Sequence, residues 1–396
     1  MIATNILNRL NEGKAEDRLR ALEDVMKTAA LPPVAGRYIN NHIHTKYSFS
    51  PYSPAAAVFA ARSEGLSTAG IIDHDTIGGA REFLAAGDIV KMPTTIGFEC
   101  RVSMKGTAFA DVRTNNPDQK GVSYVTVQAV PHDMIDRVQR YFAPLRERRN
   151  DRNRKMTAKI NSLLGGKGIT LDFDKDVLPL SLYDKGGVVT ERHLMLALAM
   201  CMMKCSGRGS GLIAMLGDVG VELSEKQKAM LLDTSYEFYE YDVLGILKGA
   251  FVPQIYVDAT EECPLIDDVI KLAGDIGAIF CYAYLGDVGD SVTGDKKAQK
   301  FEDDYLDDLI AALVDKGVGA VTYMPARNTR DQLLRLRDLC ERYGLFQVSG
   351  EDINSPRQSF ICRAMDDPMF SNLIDSTWAL IAHERGEKKI ILRKDV

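Results

Sequence analysis

The sequence predicts a parallel α/β barrel that carries a mainly helical insertion, and two features of the chain support this fold class. Short apolar runs rich in β-forming residues alternate with stretches of helical periodicity, the pattern of parallel strands joined by crossover helices. Polar or ionisable residues directly follow these runs, which is where α/β barrel enzymes build their active sites. The strand-like runs cover residues 38–39, 69–72, 94–98, 278–282, 320–323 and 345–348, and neighbouring helical stretches cover residues 54–63, 306–315 and 329–342.

The first part of the chain, residues 1–36, is predicted to form a helical arm ahead of the barrel. Between residues 5 and 30, apolar side chains such as Leu10 and Leu22 recur close to a helical period. The pattern ends before Pro32, as expected because proline cannot continue a helix.

The predicted barrel consists of residues 37–100 and 250–396, and the segment between them, residues 101–249, is interpreted as a helical insertion. The alternation of strands and helices stops in this segment, and no internal repeat replaces it. Its parts are a loop at 105–120, a charged helix at 137–164, an apolar helix at 192–205, a glycine-rich stretch at 206–220 and a helix at 224–240.

The composition is that of an ordinary globular protein and favours a small-molecule partner. The chain has 396 residues, of which 45% are hydrophobic and 26% charged, with a formal net charge of −6. That charge gives no general attraction for nucleic acid or an anionic membrane. No apolar run reaches the roughly 20 residues of a membrane span, and no signal peptide is evident. The odd count of 7 cysteines suits reduced thiols, so the expected location is the cytoplasm.

One basic cluster, residues 146–155, stands out from the otherwise mixed charge pattern. It could guide an anionic substrate or contact nucleic acid. However, it lacks interleaved aromatic residues and is interrupted by Glu147 and Asp151. The prediction is therefore a solvated helix face, with nucleic acid disfavoured as a partner.

Ionisable residues follow three of the predicted strands. His42 and His44 form an H-x-H pair, and in extended chain their Cα atoms lie about 7 Å apart on one side, so both can reach one metal ion. Asp73 and His74 belong to an Asp-His-Asp cluster that is expensive to bury unless it coordinates or pairs. Glu99 closes the third strand. Taken singly, each motif also fits a chance pair, a solvated turn or a surface carboxylate.

The order of these motifs resembles the PHP (polymerase and histidinol phosphatase) family. The family's three motifs, D-L-H-x-H-T, T-D-H-D and G-x-E, align with His42, His44, Asp73, His74 and Glu99. The resemblance implies a distorted (β/α)7 TIM-like barrel of the PHP type. It also implies that two later segments of the chain contribute the metal ligands His193 and Asp352.

Several positions depart from the family's pattern. Asn40 replaces the opening aspartate, Phe49 replaces an acidic or histidine ligand, and Tyr284 and Asn354 occupy altered ligand positions where the family has histidines. The resemblance therefore implies one to three divalent metal ions per chain, with the first position intact. Nitrogen and oxygen ligands without thiolate suit manganese, iron or zinc.

The resemblance implies a metal-dependent phosphoesterase that acts on a small phosphorylated metabolite, a nucleotide or a sugar phosphate, through a metal-activated water. Asp73, His74, Arg192 and Arg327 are the expected catalytic residues, with the two arginines contacting phosphate. Two alternatives stay open: a degenerate PHP protein that binds metal or a phosphorylated ligand without efficient turnover, and a hydrolase of another bond. The sequence gives no indication of oligomeric state.

Overall fold

A computed structural model describes residues 4–287 and 300–392 of the chain. Its centre is one seven-stranded sheet in which the strands follow each other in chain order. The strands are β1 (Ala35–Ile43), β2 (Leu66–His74), β3 (Thr94–Ser103), β4 (Val122–Gln128), β5 (Ile279–Ala283), β6 (Ala320–Tyr323) and β7 (Phe346–Ser349).

The sheet is parallel except at β4, which runs antiparallel to both β3 and β5. A bridge between Ile43 and Ile353 connects the end of β1 to the chain just after β7. Two hydrogen bonds support this bridge: His44 N donates to Ile353 O over 2.9 Å, and Ile353 N donates to His42 O over 3.1 Å. The sheet is thus nearly closed, and the predicted distorted barrel is confirmed.

Thirteen helices are seen in the described part of the chain. Local sequence explains several boundaries; for example, Ser53 accepts a hydrogen bond from Ala56 N at the start of the helix that begins with Pro54. The helices are α1 (Thr4–Asn11), α2 (Ala15–Met26), α3 (Pro54–Ser63), α4 (Ala80–Val90), α5 (Ile135–Leu164), α6 (Glu191–Ser206), α7 (Ser210–Asp218), α8 (Glu225–Leu232), α9 (Tyr239–Ile255), α10 (Ile266–Ile276), α11 (Leu306–Asp315), α12 (Arg330–Tyr343) and α13 (Ser371–Glu384). None of these helices is long and apolar enough to cross a membrane.

The N-terminal segment forms two helices, where the apolar pattern predicts one continuous helical stretch. Gly13 separates α1 from α2 with a φ of +75°, a backbone conformation that favours glycine. The two helices pack against α3 and α4. A buried ion pair joins them to the barrel, with Arg18 Nε 2.8 Å from Glu82 Oε1.

The beginning of the predicted insertion at residues 101–249 belongs to the barrel in the structure. It contains β4, a strand of the central sheet, and the first half of α5, which packs into the barrel core through Val138 and Phe142. A second apolar core begins near Met156 and extends through α6 to α9. The separately packed helical part therefore starts midway along α5 and ends near Ile255.

Candidate metal centre

Five side chains that the sequence predicts as ligands meet at one rim of the barrel. His42 lies at the end of β1 and His44 just beyond it, His74 ends β2, Glu99 belongs to β3, and Asp352 follows β7. These four strands run parallel, so their carboxyl ends reach the same face of the sheet.

The ligand atoms form two overlapping groups. The Nδ1 atom of His74 lies 2.9 Å from Glu99 Oε2, and the Nε2 atoms of His42 and His44 lie 3.7 and 3.8 Å from the same oxygen. His44 Nε2 is also 3.3 Å from Asp352 Oδ1. Within each group all ligand atoms lie within 4.8 Å of one another, a spacing that a shared cation can bridge.

These residues fit a divalent metal ion, because two of their nitrogen atoms are buried without a hydrogen bond. Among the described residues, the Nε2 atoms of His42 and His44 find no hydrogen-bond partner, which is rare for buried polar atoms and is expected of nitrogen atoms that bind a metal ion. Burial raises the pKa of Glu99, but the imidazoles of His74 and His42 outweigh it, so the pKa of this carboxyl lies well below its ordinary value. The centre therefore carries a negative charge and is rich in hydrogen-bond acceptors.

Asn40 connects strand β1 to the segment that follows β7. Its Oδ1 accepts from His42 N over 2.9 Å and from Glu351 N over 3.1 Å, while its Nδ2 donates to Glu351 O over 2.9 Å. An amide is required because the position must both accept and donate. The replacement of the family's opening aspartate therefore has a local physical reason.

We expect Asn40→Asp to destabilise the protein by about 1–3 kcal/mol, since a carboxylate oxygen would face the Glu351 carbonyl in place of a donor. The free energy of unfolding in urea measures the effect. Asn40→Ala is the comparison variant: it removes all three hydrogen bonds and leaves two backbone N–H groups and one carbonyl without this partner, so it should also destabilise the protein. Equal stability of Asn40→Asp and the unmodified protein would contradict this role.

Asp73 lies behind the ligands and not on the cavity wall. Its carboxylate is 1% exposed and accepts hydrogen bonds from Thr45 and Ser48. Asn354 lines the cavity, and its Nδ2 donates to Asp352 Oδ1 over 2.7 Å. Tyr284 lines the cavity, and its hydroxyl donates to Asp303 Oδ1 over 2.7 Å.

The side chain of His193 is used within its own helix. Its Nδ1 accepts from Thr190 N over 3.0 Å, which caps the start of α6. Burial lowers the pKa of His193 to about 3, and a neutral imidazole that accepts at Nδ1 carries its proton on Nε2. Among the described residues, the groups of neighbouring ligand atoms do not include His193. The helix start does reach the cavity, through Thr190 and Arg192.

A cavity opens in front of the ligands, and His42, His74, Glu99 and Asp352 are among the residues that line it. Three cationic side chains line it: Arg149, Arg192 and Lys248. The guanidinium of Arg192 lies 6.0 Å from the centre of the Phe49 ring. Arg327 is not among the lining residues; its Nε donates to Leu285 O over 3.1 Å.

The expectation of a solvated basic helix face at residues 146–155 is wrong for half of that face. Arg146, Arg149 and Arg152 are at most 9% exposed, because this side of α5 packs beneath the rim of the barrel. Arg149 and Lys248 are cavity residues that sequence reasoning missed. The regular spacing of the arginines at 146, 149 and 152 was the available signal, since residues three apart share one helix face.

Carboxylates neutralise Arg149 and Arg152. Glu191 Oε2 lies 3.0 Å from Arg149 Nη2, Glu191 also pairs with Arg152, and Arg101 Nη1 lies 3.4 Å from Glu191 Oε1. Glu191 is therefore the centre of the network. The full network contains Arg101, Arg149 and Arg152 with Asp75, Glu191 and Glu262.

Comparison with known proteins supports the fold and leaves the family open. No family model and no curated protein matches the chain. A candidate metal-dependent phosphoesterase from Bifidobacterium adolescentis is similar in structure, with a TM-score of 0.52, 17% identity, and coverage of 84% of this chain and 96% of that one. An amidohydrolase from Chromobacterium violaceum, with bound sulfate and no metal, has a TM-score of 0.53, 15% identity, and coverage of 81% and 89%. At identities this low, the structural likeness shows a shared fold and nothing further.

Proposed function

We propose that this chain is a metal-dependent hydrolase, and specifically a phosphoesterase that acts on a small phosphorylated metabolite. One observation carries the proposal: imidazole and carboxylate groups from several strand ends converge, and two of their buried nitrogen atoms make no hydrogen bond to the part of the chain that the structure describes. His42, His44, His74, Glu99 and Asp352 would hold the metal. A divalent ion held there would polarise the substrate and activate a water molecule.

The cationic wall of the cavity favours an anionic substrate. Arg192 stands beside the ligand group, and its charge is one of those that counter burial and lower the pKa of Asp352. A guanidinium can bind two phosphoryl oxygens at once and stabilise charge that develops on them. We therefore propose that Arg192 orients the phosphoryl group, with Arg149 on the same wall.

The other expected catalytic residues have different positions. His74 faces the cavity and contacts Glu99, so it can hold the metal or a proton next to the substrate. Arg327 bonds to the loop at Leu285, which lines the cavity, and would act by positioning that loop. The similar amidohydrolase is the observation that favours a second candidate, cleavage of an amide bond.

The test is elemental analysis of the purified protein, followed by hydrolysis of p-nitrophenyl phosphate with added manganese. We expect at least one bound metal ion and manganese-stimulated hydrolysis, and Asp352→Ala should lower both together. An N-acetyl amino acid substrate provides the comparison for amide cleavage. Metal binding without hydrolysis of either substrate would replace the enzyme proposal with a metal-binding protein, and absence of metal would contradict both.

A further inference from the structure

A buried serine lies between a ligand histidine and the aspartate behind it. Ser48 is 0% exposed, and its Oγ lies 3.1 Å from His44 Nδ1 and 2.6 Å from Asp73 Oδ1. His44 and Asp73 are each 1% exposed. The three side chains therefore form a continuous hydrogen-bonded row that ends at the imidazole of His44.

The direction of these hydrogen bonds follows from the surroundings of Asp73. Its Oδ1 also accepts from Thr45 N over 2.7 Å, and its Oδ2 accepts from the Thr45 hydroxyl over 2.6 Å. An ionised carboxylate can only accept, so the Ser48 hydroxyl must donate its proton to Asp73. The remaining lone pairs of Ser48 Oγ then accept from His44, which places a proton on His44 Nδ1.

We propose that Ser48 and Asp73 are positioning residues that fix the tautomer of His44. With the proton held on Nδ1, the lone pair of the neutral ring is on Nε2, a buried atom that makes no hydrogen bond to the described residues and lies 3.3 Å from Asp352 Oδ1. The inference deepens the proposed function, since it rests on Nε2 of His44 binding the metal. In this proposal, Asp73 positions a ligand residue and does not contact the substrate.

The proposal predicts different outcomes for two substitutions of Asp73. In Asp73→Asn, the amide oxygen can still occupy the Oδ1 position, because Thr45 N and the Ser48 hydroxyl both donate there. The direction of the hydrogen bonds from His44 through Ser48 to residue 73 is then unchanged. In Asp73→Ala no acceptor remains, and the Ser48 hydroxyl is released to donate to His44 Nδ1, which favours the wrong tautomer.

The test combines zinc titration with nitrogen NMR of the histidine rings in the intact protein. Outer partners of metal-bound histidines typically change metal affinity 10- to 100-fold, so Ser48→Ala and Asp73→Ala should weaken zinc binding by about that factor. Asp73→Asn should stay close to the unmodified protein. Ser50→Ala is the matched control, because Ser50 is buried in the same turn but its hydroxyl accepts only from Tyr52 N.

The NMR readout separates this proposal from the proposed function. In metal-free protein, the chemical shifts of the His44 ring should show a proton on Nδ1, and Asp73→Ala should move the neutral form towards a proton on Nε2. This result would support the row even if no phosphatase activity is found. A proton on Nε2 in the unmodified protein, or unchanged zinc affinity in Ser48→Ala and Asp73→Ala, would overturn the proposal.

Discussion

Glu99→Gln should weaken metal binding by more than about 100-fold, beyond the 10- to 100-fold effect of losing an outer partner. Glu99 Oε2 is the oxygen that His42, His44 and His74 all approach, within 2.9 to 3.8 Å. Glutamine keeps the size of the side chain but removes the negative charge that balances a divalent ion. Calorimetric titration with manganese measures the affinity, and any phosphatase activity should fall with it.

The control for this experiment is a buried glutamate that contacts the same strand away from the rim. Glu384 accepts from Thr95 Oγ1 over 2.6 Å and from Ile96 N over 2.7 Å. Glu384→Gln should leave manganese affinity unchanged, although it also changes a buried carboxylate against β3. Retention of full affinity in Glu99→Gln would remove Glu99 from the ligand set.

Glu191→Gln should lower the free energy of unfolding by about 3–5 kcal/mol at neutral pH, because the buried network would keep three arginines but only two carboxylates, Asp75 and Glu262, and one positive charge would lack compensation. Glu191 pairs with Arg101, Arg149 and Arg152, and each of these arginines is buried. Urea unfolding gives the value. Glu225→Gln is the exposed control, since Glu225 pairs only with Lys228 on the surface, and it should change stability little.

The loss of stability caused by Glu191→Gln should become smaller as the pH falls. Burial raises the pKa of Glu191, but Arg152, Arg149 and Arg101 outweigh it and hold that pKa well below the ordinary value of 4.5. A lowered folded-state pKa contributes stability that is complete above pH 4.5 and is lost as the pH falls below it. The difference between protein and variant should therefore shrink by about 1.4 kcal/mol per pH unit below 4.5. A difference that grows on acidification would contradict the network.

The ligand motifs near the beginning of the barrel were readable because strand periodicity places them. His42 and His44 are two residues apart at the end of β1, and Glu99 belongs to another strand of the same parallel set. Side chains two apart in a strand share a face, and parallel strands end at one rim. Spacing along the chain therefore indicates that these side chains can reach one rim, and the family resemblance is what implies that they bind metal together.

Two local signals were present and led to a different interpretation. Residues 122–128 are rich in valine, tyrosine and threonine, a composition typical of a strand, but their position in a helical segment concealed β4. Thr190 and His193 are three apart at a helix start, which is capping spacing, and the structure uses His193 in that way. The family pattern predicts the same residue as a metal ligand, and that assignment stays a prediction.

The sequence by itself predicted a parallel α/β fold with His42, His44, His74 and Glu99 following its strands, because these features depend on short-range periodicity, whereas the barrel type and Asp352 were implied by the family resemblance. Only the tertiary structure decided the environment of those residues. Burial of Arg149 depends on Asp75 and Glu191, which arrive from β2 and α6, and the tautomer of His44 depends on Asp73 from a neighbouring strand. Hydrogen bonds and charge pairs between distant segments leave no periodic trace in the chain, so they become visible only once the fold brings the partners together.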